Sequence, residues 1–174
     1  MSLLLISCAT TLPAMAQQVA KVDTVATRYK LPEADCACFP ATAKLPIFLN
    51  DSIRQAKRFT PSKQQIISTE KALAKIDLAR VNKQPDSGHY TNYSSIITKQ
   101  LSTYQRQYFG FYNSQGHPCL YINFFILNLE EPVNYIPFWL KKPVIMYDGG
   151  AAFWSIFFDL KTHRFYDFHH NSEG

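Results

Sequence analysis

The chain has 174 residues, a net charge of +5 and 14% aromatic residues. That aromatic load argues against a disordered segment, and the length suits one ordinary domain able to bury a core without staples. The basic excess is scattered, with one concentration at Arg54, Lys57, Arg58 and Lys63; no nucleic-acid-binding motif accompanies it, so a solvated basic face is expected and a nucleic-acid partner is not.

Leu3-Leu4-Leu5-Ile6 is a short apolar run, broken by Pro13 and followed by Ala14-Met15-Ala16 before Gln17. An apolar segment and a small-x-small tripeptide form the pattern of a secretory signal peptide, here residues 1–16. The charged start that normally precedes such a core is missing, which leads us to expect the complete start upstream. Leu5-Ile6-Ser7-Cys8 offers an alternative, a lipobox with lipidation at Cys8 and anchoring to a membrane. Either way the protein is expected to be exported: periplasmic or extracellular on the first reading, an outer-membrane lipoprotein on the second. No other segment approaches the ~18–20 uninterrupted apolar residues of a spanning helix.

Residues 17–58 lack sustained periodicity and carry Pro32 and Pro40, so they read as an extended N-terminal lead-in to a domain over 59–174. Leu45 to Leu49 is a candidate edge strand, where Pro46 is tolerated. Thr60-Pro61-Ser62 starts a helix, with a hydroxyl at the cap and Pro in the first turn. The spacing of Ile66, Ile67, Leu73, Ala74, Leu78 and Val81 predicts a helix over 61–81. Pro85, Asp86, Ser87 and Gly88 mark a loop. Tyr93, Ile96, Ile97, Leu101, Tyr104 and Tyr108 recur at helical spacing and allow a second helix.

From Arg106 the period becomes two. Strands are predicted over 108–113, 119–128, 144–147, 152–159 and 165–169, with turns at Asn113–Gly116, Asp148-Gly149-Gly150 and Lys161–His163. Residues 119–128 are apolar on both faces, as a central strand is. A long connection occupies 130–142. The sum is an α+β domain: one long amphipathic helix, with room for a second, packed on a four- to five-stranded antiparallel meander in a cystatin-like or NTF2-like layout.

The segments Tyr104-Gln105-Arg106-Gln107-Tyr108-Phe109-Gly110-Phe111, Leu120-Tyr121-Ile122-Asn123-Phe124-Phe125 and Asp148-Gly149-Gly150-Ala151-Ala152-Phe153-Trp154, with Phe158-Asp159 and the Thr60-Pro61-Ser62 helix start, carry a resemblance. Together they resemble a family of small exported proteins or lipoproteins of the Bacteroidota, over about residues 59–168. The resemblance implies an envelope location and a single α+β domain. The family has no assigned activity, so it transfers no catalytic residue.

Candidate chemistry is sparse. With Ile66 at zero and about 100° per residue, Glu70 falls near 40° and Asp77 near 20°, both within the apolar stripe. A carboxylate facing a core is costly unless paired, so Glu70 is expected either to pair with Arg106 or Tyr hydroxyls or to serve as a desolvated acid in a cleft. Asp167 and His169 share a strand face and are candidate metal ligands, with His163 as a third. In an oxidising compartment Cys119 is expected to bridge either Cys36 or Cys38, a loop of about 80 residues worth roughly 4 kcal/mol. Gly-x-Ser-x-Gly and phosphate-cradling signatures are absent, and no cofactor is expected. Two function classes follow. One is a non-catalytic binding or interaction protein of the cell envelope, with Tyr135, Phe138 and Trp139 as binding anchors for an unidentified envelope protein or ligand. The alternative is a small hydrolase or isomerase using Glu70, Asp77 and Arg106 in a helix–sheet cleft.

Overall fold

A computed structural model describes residues 25–83, 92–127 and 136–172. The signal segment 1–16 and the lipidation candidate Cys8 lie outside the described residues, as does Tyr135.

The described residues hold a seven-stranded sheet and five short α-helices. Strands β1 (Thr27–Leu31) and β2 (Ala34–Cys38) form a hairpin at one side. β2 then pairs in parallel with β4 (Gln105–Tyr112), Cys36 opposite Arg106. The two-residue β3 (Arg58–Phe59) continues along the same edge of β4, beyond β2. β4, β5 (Pro118–Phe125), β6 (Phe153–Asp159) and β7 (Arg164–His170) follow as an antiparallel meander. The expected meander is therefore present as four strands of a larger, mixed sheet. Its other three strands lie within residues 27–59, all but Phe59 inside the expected lead-in 17–58. Their partners are remote in sequence, so local periodicity carried no sign of the pairing.

The chain between β3 and β4 covers one face of the sheet. Helix α2 (Lys63–Leu73) buries Ile66, Thr69 and Leu73 there. Its N-cap is Ser62, whose hydroxyl accepts from Gln65 N while the Gln65 side chain accepts from Ser62 N, a reciprocal capping box. The single helix expected over 61–81 is two. After Leu73 the chain turns, and Asp77 caps α3 (Leu78–Val81) by accepting from Arg80 N. A short acid that bonds the backbone favours a cap over a helix interior, and Asp77 takes that role here. α4 (Tyr93–Lys99) and a 3₁₀ turn at Leu101–Thr103 complete this layer, so the second helical repeat stops before Tyr104. Beneath lie Cys36, Cys38, Tyr108, Leu120, Ile122, Phe124, Trp154, Ile156 and Phe158.

The opposite face packs a second core around Phe39, Phe109, Phe111, Cys119, Tyr121, Phe125 and Phe157. Two irregular segments cover it. One runs from Phe39 through α1 (Asp51–Arg54) and places Leu45 and Leu49 against the sheet, where an edge strand was expected. The other carries α5 (Phe138–Lys141) and Val144. The strand expected over 144–147 does not form, because the Val144 N–H and carbonyl are taken by side chains of the sheet it lies across, Gln107 and Asn123. Nor does Asp148-Gly149-Gly150 make a hairpin: both glycines have positive φ and lead into a 3₁₀ turn at Gly150–Ala152. No helix among the described residues is long and apolar enough to cross a membrane.

Candidate functional site

On the helical face, alternation along β4 points Arg106 and Tyr108 at α2, and Glu70 comes down from the helix to meet them. Arg106 Nε lies 3.0 Å from Glu70 Oε1 as an ion pair. The Tyr108 hydroxyl donates to the same oxygen, and the Cys36 thiol approaches it at 3.6 Å. Arg106 also donates to the carbonyls of Tyr104 at 2.7 Å and Leu101 at 2.9 Å, and lies over the Phe124 ring. Burial raises the Glu70 carboxyl above its usual range despite the opposing pull of Arg106 and Tyr108. Asp77, the expected companion of Glu70, is not with it but at the start of α3.

All three described cysteines are buried and free. Cys36 and Cys38 belong to the helical-face core and Cys119 to the core on the other side of the sheet. The expected bridge from Cys119 is therefore not made, because the sheet itself stands between the partners. Cys38 donates to Pro61 O, and burial pushes its thiol up to about 11. The basic concentration is likewise dispersed. Arg58 is tied to Gly110 O and Ala43 O, Arg54 pairs with Asp51, and Lys57 and Lys63 lie over the rings of Tyr112 and Tyr29.

The second face carries a polar row that crosses four strands. Gln107 is directly opposite Asn123, Asn123 opposite Ser155, and Ser155 opposite His169. At the β4 end the row is structural. Gln107 Nε2 donates to Trp139 O at 2.6 Å and Lys142 O at 2.9 Å, and its Oε1 accepts from Val144 N and Asn123 Nδ2. Asn123 Nδ2 donates also to Val144 O at 2.8 Å, so neither bond uses its carbonyl oxygen. Beyond Asn123 the covering segments part. They leave a groove of about 810 Å³ with Asn123, Ser155 and Phe157 in its floor. Phe48, Leu49, Asn50 and Ile53 form one wall, and Val144, Met146 and Tyr147 the other. Asp167 and His169 of β7 line it as well. Its rim is apolar yet solvent-facing: Phe48 is 46% exposed, Met146 45% and Tyr147 76%.

A bulge shapes the β7 side. Ser155 pairs with His169 and Phe157 with Tyr166, so Asp167 and Phe168 together oppose Ile156. Asp167 takes a left-handed φ of 48° there, and Phe168 packs into the helical-face core. Desolvation and the neighbouring His170 lower the His169 imidazole below its ordinary value. His163, the third expected metal ligand, instead meets the Phe158 ring on the opposite face. Among the described residues no group of three or more His, Cys, Asp or Glu is suited to hold a metal ion.

Of the expected aromatic anchors, Trp139 is buried, edge-on to Phe125 with Arg28 over its ring, and Phe138 packs partly buried beside it. Both cover the sheet, and Trp139 presents no free face. The segment folds back because Gln107 holds its carbonyls. Asn123 and Ser155 escaped the sequence reading. Two polar residues within apolar strands were the available signal, but their alignment depends on register. No known protein family, curated protein or solved structure matches the chain.

Proposed function

We propose that this chain is a non-catalytic binding protein of the cell envelope, whose ligand lies in the groove on the second sheet face. The observation that carries the reading is the opening of about 810 Å³ over a polar floor, with exposed aromatic and aliphatic walls. Small-molecule sites are typically clefts of roughly 300–1,000 Å³ with apolar linings and a few polar groups. The envelope location rests on residues 1–16; the mass of the mature protein distinguishes cleavage after Ala16 from lipidation at Cys8. The alternative, a hydrolase or isomerase acting through Glu70, draws less support. Glu70 Oε1 is shared by Arg106, Tyr108 and Cys36, and Glu70 is not among the groove residues.

Titration with the neutral dye N-phenyl-1-naphthylamine tests the reading. Saturable binding that falls at least about tenfold in Ser155→Trp, which fills the floor, and weakens in Phe48→Ala, which removes a wall, is the expected result. Binding indifferent to both substitutions sinks it.

A further inference from the structure

The charges of this protein avoid its groove. The chain carries 18 Lys and Arg residues and a net charge of +5, yet none of the described residues that line the groove is Lys or Arg. Asp167 is the one carboxylate among them. An anionic ligand would find no Lys or Arg there, only the His169 and His170 imidazoles, and one carboxylate to repel it. A cation meets the reverse. The Phe48 and Tyr147 rings are exposed at the rim and Phe157 lies in the floor, stacked on Tyr166 at 5.3 Å. Aromatic faces attract cations through the ring quadrupole, by about 0.5–1 kcal/mol at exposed sites and more when desolvated. The floor adds the Asn123 carbonyl oxygen and the Ser155 hydroxyl, both able to accept from an ammonium N–H.

We propose that the groove selects a small organic cation, an amine with an apolar or aromatic body, whose ammonium group sits by Asp167 and whose body lies between Phe48 and Tyr147. This rests on the groove being the binding site. Size favours a small molecule over a polypeptide, since the volume lies within the range of small-ligand clefts.

The test is calorimetry on the full chain with two shape-matched probes, 1-naphthylmethylammonium and 1-naphthylacetate, at neutral pH. The cation is expected to bind at least about tenfold more tightly than the anion. Asp167→Asn is expected to remove most of that preference; Asn tolerates the left-handed backbone, so the variant keeps the bulge. Equal or tighter binding of the anion overturns the inference, as does an Asp167→Asn variant that binds the cation normally. A short Lys-containing peptide that outcompetes the free amine overturns the small-molecule assignment. If the neutral dye depends on Ser155 and Phe48 but the cation has no advantage, the charge inference fails alone. If no probe responds to Ser155→Trp or Phe48→Ala, the groove reading fails with it.

Discussion

Arg106 reaches across the helix–sheet interface to Glu70, its Nε 3.0 Å from Oε1, with the guanidinium almost wholly buried and the carboxylate nearly so. Breaking one partner of such a pair leaves an uncompensated buried charge, which costs about 3–5 kcal/mol. Glu70→Ala is therefore expected to lower unfolding free energy by that order in urea titrations. The apolar double variant Glu70→Leu/Arg106→Met is expected to recover a large part of it. A single variant as stable as the parent contradicts the pairing.

The same carboxyl gives a pH dependence with a definite sign. Burial raises Glu70 in the folded state, so the folded chain holds its proton more tightly than the unfolded chain does. The associated stability is full below the unfolded value and is lost as pH rises through the folded value. Glu70→Gln is expected to flatten this decline, read as denaturation midpoints compared from acid to neutral pH. An unchanged slope assigns the decline elsewhere.

Gln107 anchors the segment that closes one side of the groove. Gln107→Leu leaves Trp139 O, Lys142 O and Val144 N without their partner, at about 1–3 kcal/mol for each buried group orphaned. The expected outcome is a stability loss larger than that of one ordinary hydrogen bond, with faster hydrogen exchange at the Val144 amide and weaker binding of any groove ligand. Unaltered Val144 exchange is the contrary result.

Gly110 lets β3 lie against β4. A Cβ there would stand 2.5 Å from Phe59 O and 2.8 Å from the Phe59 ring. Gly110→Ala is expected to displace β3 and to cost about 1–3 kcal/mol, as overpacking does. The thermal midpoint checks it, and a midpoint equal to the parent's refutes the close approach.

Cys36, Cys38 and Cys119 are expected to resist alkylation by iodoacetamide in the native protein and to react in urea, because all three are buried and none is bridged. Burial raises each thiol, which suppresses the reactive thiolate. Mass spectrometry after labelling counts the sites; fewer than three modified in urea without reductant shows a bridge.

What local chemistry determines was legible in the sequence. The period-two runs at 108–113, 119–128, 152–159 and 165–169 correspond to β4 to β7, because alternation is a property of single strands. Glu70 stood out because a carboxylate in an apolar stripe needs a partner. Long-range pairing was hidden. That β2 joins β4 in parallel, that Cys119 lies across the sheet from Cys36, and that Gln107, Asn123, Ser155 and His169 line up in one row are matters of register between remote segments. Register depends on which apolar faces are buried together, and burial is decided by the whole chain. Local pattern alone carries the meander, the helix start and the acid in the apolar stripe. Where that acid meets its arginine, and where two covering segments part to leave a groove, follows from the packing of the whole chain.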